Sequence, residues 1–176
     1  MIYYQDEALT IRTMAPGDPA EINRGELEQG YPDMEGKYNM RLEDMRENRC
    51  VALVAEYHGV VAGYNHLYFK AQDGPFAGQK ICEIVDFGVL EKYRCCGVGT
   101  KLMDIAEQIA AQYGDTVCLR VGLHSGYGSA QRMYVKRGYI PDGSGVWYED
   151  KVCGPYQACV NGDSLVLYFS KKIRSF

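Results

Sequence analysis

The sequence lacks the features that would mark a membrane protein, a secreted protein or a zinc protein. It contains no run of about 20 apolar residues, the length needed to span a bilayer. Residues 1–10 lack the charged-then-apolar order of a signal segment. The seven cysteines are odd in number and show no Cys-x-x-Cys or paired Cys/His spacing. We therefore expect no membrane segment, no metal ion and a reduced, cytoplasmic location.

The chain also lacks an excess of positive charge. Its formal net charge of -4 gives no basic footprint for binding the phosphates of a nucleic acid. Apolar residues make up 47% and charged residues 24% of the chain, which is the balance of a soluble globular protein. A length of 176 residues suits one domain. These properties predict a single domain, residues 1–176, with no nucleic-acid partner.

The first part of the chain changes from strand-like to helix-like and back. Residues 9–14 read as a short strand, and residues 19–48 as two short helices joined by a loop. Residues 51–57 and 60–69 are rich in β-branched and aromatic side chains, and His58-Gly59 between them suits a tight hairpin turn. We expect a strand, two helices and a β-hairpin in that order.

In the second part, strands alternate with helices. Strands are predicted at residues 81–90, 116–123 and 164–170, and helices at residues 100–113 and 127–137. The apolar face of the first of these helices comprises Leu102, Ile105, Ala106, Ile109 and Tyr113. Because this alternation is confined to the second part, a mixed α/β sheet fits better than a fully parallel one.

Arg94, Gly97 and Gly99 lie at the junction between a predicted strand and a predicted helix. Glycines let the backbone approach a ligand closely, and the N–H groups at a helix start attract anions. The junction therefore predicts a pyrophosphate site, although tight packing also uses Gly-x-Gly at a helix start. The P-loop pattern is absent, and Leu102 occupies the place of the third glycine of a dinucleotide fingerprint.

Two motifs carry a resemblance to a known family. Arg94-x-x-Gly97-x-Gly99, after a strand that contains Val89, resembles the acetyl-CoA signature of the GNAT N-acetyltransferase superfamily. Ala130-Gln-Arg-Met-Tyr134-Val-Lys-Arg-Gly138-Tyr139 is similar to that family's later helix, Ala-x-x-x-Tyr-x-x-x-Gly-aromatic. The resemblance covers about residues 50 to 172. It implies a central mixed sheet flanked by about four helices, with an acetyl-CoA core at residues 81–138 and an acceptor side at residues 1–50.

The resemblance also implies how acetyl-CoA is held as a cosubstrate, without a metal ion. Its pyrophosphate would rest on loop amides, and its pantetheine would pair with the backbone near Val89. The implied contacts are Phe87, Val89, Leu90, Arg94, Cys95, Cys96, Gly97, Val98, Gly99, Thr100, Tyr127 and Ala130.

Three side chains are candidates for proton transfer in the implied reaction. Glu83 and Asp86 stand where members of the family place a general base, and Tyr134 stands where they place the acid that protonates the leaving thiolate. Alternation along a strand puts Glu83 on one face and Asp86 on the other unless a bulge intervenes. The alternatives are a carboxylate paired with a cation and a tyrosine buried in the core.

The chain departs from the family in its loops. Tyr127 replaces an asparagine that commonly contacts the pantetheine, and Cys95 and Cys96 replace small or basic residues. Because a helix start can lower a thiol pKa, we hypothesise that these two cysteines are sensitive to alkylation. The run from Trp147 to Asp150, with residues 153–159 beyond it, predicts a long connection that shapes the acceptor pocket or serves as an ordinary surface loop.

The sequence thus predicts an N-acetyltransferase that moves an acetyl group to a primary amine by direct attack. The sequence leaves three classes of acceptor open: a small amine, an aminoglycoside-like compound and a peptide amine. Glu26, Glu28, Asp33 and Glu35 are acids that would attract such a cation. The alternative function is a non-catalytic acyl-CoA sensor or interaction module, and a homodimer is left open.

Overall fold

The computed structural model describes residues 1–173. Its strands are β1 (Ile2–Gln5), β2 (Leu9–Thr13), β3 (Cys50–Tyr57), β4 (Val60–Tyr68), β5 (Cys82–Val89), β6 (Thr116–Gly122), β7 (Ile140–Tyr148), β8 (Lys151–Val152) and β9 (Leu165–Lys172). Its α-helices are α1 (Asp18–Glu28), α2 (Glu35–Arg46), α3 (Val98–Ala110) and α4 (Gly128–Lys136). This confirms the predicted mixed α/β fold with a central mixed sheet and, within the described residues, four α-helices.

The predicted β-hairpin is present. β3 pairs antiparallel with β4, and Tyr57 lies opposite Val60 across a two-residue turn. His58 and Gly59 have φ values of 49° and 77°. Positive φ at both central residues is the backbone of a type I′ turn, whose twist matches that of the two strands.

Helix α3 differs in length from the prediction. It begins at Val98, two residues earlier than expected, and ends at Ala110. The predicted apolar face is buried except for Tyr113, which is 53% exposed and lies beyond the helix. Tyr113 instead stacks on Phe69 with ring centroids 4.4 Å apart. The apolar ring of Tyr113 extended the predicted helical pattern beyond Ala110, where the helix ends.

Two further segments differ from the prediction. β1 was not predicted, and it pairs antiparallel with β2. Trp147 and Tyr148 lie in β7 rather than in a long connection, because β7 pairs with β9 and the Trp147 ring meets Tyr168 edge-on at 5.2 Å. The connection before β9 is therefore shorter than expected and begins at the β7–β8 hairpin.

Contacts between residues divide the chain into two compact units. The first contains residues 1–68 and 84–109, with strand order β1-β2-β3-β4-β5. Its pairs from β1 to β4 are antiparallel. One cluster of its buried core comprises Met14, Ile22, Tyr38, Leu42, Ala52, Val54 and Tyr64. Helices α1 and α2 thus share a core with the sheet strands of this unit.

The second unit contains residues 69–83 and the chain from Ala110 onward, with strand order β6-β9-β7-β8. These strands pair antiparallel. The register of β7 against β9 jumps between Pro141 and Val146, so that residues 142–145 bulge out opposite Tyr168. The single domain expected for residues 1–176 stays a prediction.

Candidate active site

The phosphate loop, residues 94–100, joins β5 to α3 through a turn with two left-handed residues. Cys95 has a φ of 63° and Gly97 a φ of 83°. The first hydrogen bond of the following helix runs from the Lys101 N–H to the Gly97 carbonyl at 3.0 Å. The amides from Val98 to Thr100 precede it and have no intrahelical acceptor. The loop therefore presents N–H groups at a helix start, where an anion is stabilised.

The two loop glycines have different physical roles. Gly97 has open space where a side chain would stand, so its left-handed backbone is what requires glycine. A Cβ at Gly99 would approach the Phe87 ring to 3.1 Å and Val89 to 3.3 Å. Gly99 therefore lets α3 pack closely on β5. Gly99 therefore fits the packing interpretation of Gly-x-Gly, and the pyrophosphate site stays a prediction.

The side chains of the phosphate loop lie mostly at the surface. Arg94 Nε donates to the Val89 carbonyl at 3.4 Å, and its Nη1 lies 3.2 Å from Glu91. Cys95 and Cys96 are both exposed free thiols. Leu90 is buried, with its N–H bonded to the Ala62 carbonyl at 3.0 Å. Any contact of Leu90 with acetyl-CoA would therefore need this hydrogen bond to change.

Strand β5 is irregular at Asp86, which has a φ of 52°. A positive φ at a residue other than glycine is rare in a strand and interrupts the alternation of side chains. Beyond this point Phe87 and Val89 contact Gly99 on α3, whereas a Cβ at Gly88 would collide with the Tyr64 ring. The sequence analysis allowed for a bulge, and the irregularity lies at one of its two candidate bases.

The Asp86 cluster consists of Asp86, Lys37, Arg41 and His66. The carboxylate of Asp86 lies 2.7 Å from Arg41 Nε, 3.5 Å from Lys37 Nζ and 3.7 Å from His66 Nδ1. Burial opposes the charged carboxylate, but Lys37, His66 and Arg41 outweigh it and hold the pKa of Asp86 below its usual value. Asp86 is thus an ionised carboxylate already paired with two cations, which makes it a weak proton acceptor.

His66 is the buried member of the cluster, with no exposed surface. Burial lowers its pKa to about 4 although the Asp86 charge opposes the change. Neither ring nitrogen makes a hydrogen bond of normal geometry within residues 1–173, although the Val85 backbone is near enough to oppose the lowering of the pKa. His66 is therefore neutral at pH 7 and is held by packing.

A chain of hydroxyl groups runs from α2 through β4 to α1. The Tyr38 hydroxyl donates to the Tyr64 hydroxyl at 3.0 Å, and the Tyr64 hydroxyl donates to Glu26 at 2.7 Å. Gln29 Nε2 donates to the other oxygen of Glu26 at 2.7 Å. Burial raises the pKa of Tyr38 to about 12. Glu26 is buried and hydrogen-bonded, and its role in attracting a cationic acceptor stays a prediction.

Glu83 lies in the second unit and is only 3% exposed. One of its carboxylate oxygens accepts the Gln72 N–H at 3.2 Å. The charge of Glu83 helps to raise the pKa of Cys118 and of Tyr168, which burial also raises, and that of Arg120, which burial lowers. The two candidate bases therefore have different environments: Asp86 is paired with two cations, whereas Glu83 is almost fully buried.

Tyr134 and Tyr127 also lie in the second unit. Tyr134 on α4 is 5% exposed and meets the Tyr139 ring edge-on at 5.8 Å, and burial raises its pKa. Tyr127 directly precedes α4, and its hydroxyl donates to Asp163 at 2.9 Å. A Cβ at Gly122 would collide with the Tyr127 ring, so this glycine accommodates the tyrosine. Ala130 lies on α4, the helix that also carries Tyr134.

The model of the GNAT family acetyltransferase domain matches residues 19–139, which include the phosphate loop, both candidate bases and Tyr134. This chain belongs to the GNAT acetyltransferase family. Comparison with curated protein sequences gives no significant match.

Solved structures share the fold of this acetyltransferase. The ribosomal-protein-S18-alanine N-acetyltransferase from Escherichia coli has a TM-score of 0.67 at 14% identity, with 94% of each chain covered. YncA from Salmonella typhimurium, a putative acetyltransferase solved with its cofactor acetyl-CoA, has a TM-score of 0.66 at 16% identity, covering 97% of this chain and 96% of its own. Arabidopsis thaliana Naa50, bound to a bisubstrate analogue, has a TM-score of 0.66 at 15% identity, covering 94% and 99%.

Neither a membrane-spanning helix nor a group of metal ligands is found within residues 1–173. No described helix has the length and apolar character of a membrane span. No group of three or more His, Cys, Asp or Glu side chains in the described part of the chain is placed to hold a metal ion.

Sequence analysis missed the polar contacts that α1 and α2 make with β4 and β5. Arg41 and Lys37 lie more than 40 positions from Asp86, and Glu26 lies 38 positions from Tyr64. Neither pairing follows a local pattern. A signal was available for α2 alone, because Lys37 and Arg41 are four residues apart and therefore share a helix face.

Proposed function

We propose that this acetyltransferase moves the acetyl group of acetyl-CoA to a primary amine by direct attack within a ternary complex. The observation that carries the proposal is the left-handed Gly97 just before α3, which supports binding of the CoA pyrophosphate at the start of that helix. Acetyl-CoA is the cofactor named for the Salmonella neighbour, which supports the same donor here.

The pantetheine arm is proposed to lie along the end of β5. The Val89 carbonyl accepts one long hydrogen bond, from Arg94 at 3.4 Å. A carbonyl oxygen has two lone pairs, so it can also accept an amide N–H of the pantetheine. Because Phe87 and Val89 pack on Gly99, the strand end and the phosphate loop form one rigid support for both parts of CoA.

In the proposed reaction the amine nitrogen attacks the acetyl carbonyl carbon, and the C–S bond breaks. The electron pair of that bond goes to the CoA sulfur, and the amine gives up a proton. We assign this proton to Glu83, directly or through water, because Glu83 is a buried carboxylate at a position where members of the family place a general base. Asp86 is less suited since its charge is already balanced by Arg41 and Lys37. Asp86 instead holds α2 against β5.

Tyr134 is proposed to protonate the CoA thiolate as it leaves. A phenol is an acid of suitable strength, and the family places a tyrosine at this position of the helix. Burial raises the pKa of Tyr134, so the residue is a neutral proton donor at pH 7. Holding donor and amine together supplies most of the remaining acceleration by proximity.

The acceptor is proposed to be a small amine, an aminoglycoside-like compound or a peptide amine. Asp33 and Glu35 are exposed acids near the start of α2, and they support a cationic acceptor. Glu28 is less available because it pairs with Lys92 at 3.4 Å. The names of the solved neighbours include enzymes that act on protein substrates, which makes peptides worth testing first.

The test is release of free CoA from acetyl-CoA, measured with a thiol reagent across a panel of polyamines, aminoglycosides and short peptides. A calorimetric titration of acetyl-CoA is run beside it. Amine-dependent release at a rate above that of the Glu83→Gln variant supports the transferase. Absence of acetyl-CoA binding contradicts the proposal.

The second candidate function is a non-catalytic acyl-CoA sensor. It predicts tight acetyl-CoA binding with no release for any amine in the panel. It also predicts that Glu83→Gln and Tyr134→Phe leave the binding of acetyl-CoA unchanged, since neither the carboxylate nor the phenol would have a chemical role.

A further inference from the structure

The seven cysteines fall into two groups. Cys50, Cys82 and Cys118 are buried. Burial raises the pKa of Cys50 to about 12 and that of Cys82 to about 11. Such thiols stay protonated and unreactive. Chemistry at sulfur is therefore confined to the four that reach the surface: Cys95, Cys96, Cys153 and Cys159.

Cys153 and Cys159 stand at the two ends of a tight turn. The Gln157 N–H donates to the Gly154 carbonyl at 3.1 Å, and the Gly154 N–H donates to the Gln157 side-chain oxygen at 2.9 Å. Pro155 and a positive φ of 62° at Tyr156 give the backbone pattern of a type II turn. The turn reverses the chain and brings the residues that flank it together.

The Tyr156 backbone is unusual for its residue type. Position i+2 of a type II turn normally holds glycine, because other residues are strained there. The Tyr156 side chain is fully exposed, so packing of its ring does not explain the conformation. The two hydrogen bonds between Gly154 and Gln157 hold the turn closed.

The two thiols meet across this turn. Burial, and then the nearby Cys159 thiol, raise the pKa of the Cys153 thiol, so the two side chains lie close together. Cys153 is partly buried, and its N–H donates to the Val146 carbonyl of β7 at 2.7 Å. Cys159 is exposed. One thiol is thus anchored to a strand, and its partner is open to reagents in solution.

We propose that Cys153 and Cys159 form a thiol-modification site, a pair that closes to a disulfide when the protein meets an oxidised low-molecular-weight disulfide. Cys159, as the exposed thiol, attacks a sulfur of the oxidant and loses its proton, and one reduced thiol leaves. Cys153 then attacks the Cys159 sulfur, loses its proton and releases the second reduced thiol. The protein loses two hydrogens, and the oxidant is reduced to two thiols. The bond locks residues 153–159 onto β7.

The experiment treats the full-length protein with oxidised glutathione, then with dithiothreitol, and follows the intact mass and the digested peptides. The expected result is loss of two hydrogens and a peptide crosslinked between Cys153 and Cys159, both reversed by dithiothreitol. In the Cys159→Ser variant this crosslink is lost completely. The matched control, Cys95→Ser with Cys96→Ser, keeps it.

The contrary results are equally distinct. Separate glutathione adducts on Cys153 and Cys159 without a crosslink would overturn the proposal. So would a disulfide between Cys95 and Cys96 as the only oxidation product, or unchanged masses of the untreated and treated protein. None of these outcomes depends on acetyl transfer, so this inference stands or falls separately from the proposed function.

Discussion

The phosphate loop and the Asp86 cluster are built in opposite ways. The phosphate loop offers backbone amides, and its shape depends on one left-handed glycine within a short stretch of chain. The Asp86 cluster depends on side chains from α2, β4 and β5 that meet through ion pairs of 2.7 Å and 3.5 Å. A backbone site tolerates variation in neighbouring side chains, whereas a side-chain cluster changes with each substitution.

The largest expected effect distinguishes the two candidate bases. Glu83→Gln should lower kcat about 100-fold, because a general base contributes roughly 100-fold or more. Asp86→Asn is the matched control and should lower kcat less than about tenfold, since its carboxylate is already paired. Steady-state kinetics with the best amine measures both. A greater loss in Asp86→Asn than in Glu83→Gln would assign the base to the Asp86 cluster.

Tyr134→Phe should lower kcat about tenfold at neutral pH, with the Kd for acetyl-CoA unchanged. The loss is smaller than for the base because a thiol pKa of about 8.5 lets a thiolate leave with only partial protonation. Tyr139→Phe changes the ring that packs against Tyr134 and serves as the control. Equal kcat values in wild type and Tyr134→Phe would return Tyr134 to the role of a core residue.

The backbone character of the phosphate loop can be tested at Gly97. Gly97→Ala forces a left-handed alanine, at a cost of about 1 to 2 kcal/mol, which corresponds to roughly tenfold weaker binding of acetyl-CoA. Gly30→Ala is the control, because Gly30 has a φ of 89° and also has open space around it. Calorimetry should find weaker binding only in the Gly97 variant. Similar weakening in both would indicate general destabilisation.

The His66 prediction concerns folding rather than activity. His66 has a folded pKa of about 4 against about 6.5 when unfolded, so the unfolded state binds the extra proton first as pH falls. Its stabilising contribution is complete above pH 6.5 and is lost towards pH 4, by about 3 kcal/mol. Asp86, Arg41 and Lys37 are the charged groups that face the ring. Urea unfolding of wild type and His66→Asn should therefore converge in stability as pH falls, and parallel pH profiles would contradict this.

The loop at residues 94–100 was predictable because its sequence pattern is local. The spacing of Arg94, Gly97 and Gly99 predicts the loop. The periodicity of apolar residues predicts the strand and the helix around it. Even so, the packing role of Gly99 against Phe87 and the irregular backbone at Asp86 needed the structure. Periodicity also misplaced Tyr113, because an exposed ring that stacks on Phe69 has the same apolar signature as a core residue.

The structure of residues 1–50 was predictable only in outline. Two helices were expected between residues 19 and 48, and α1 and α2 lie there. Their polar contacts were not foreseen, because Tyr38 to Tyr64 and Arg41 to Asp86 join residues 26 and 45 positions apart. The hydrogen-bonded carboxylate of Glu26 was also not foreseen, because its partner Tyr64 lies 38 positions away.

The most direct test of the central claim follows a labelled acetyl group through a single turnover. Acetyl-CoA with an isotope-labelled acetyl group is mixed with excess enzyme and the best amine, and the protein and the amine are weighed by mass spectrometry. Direct attack predicts the label on the amine nitrogen and none on the protein at any time. Transient label on the protein, above all on Cys95 or Cys96, or an amine that never gains the label, would contradict the account.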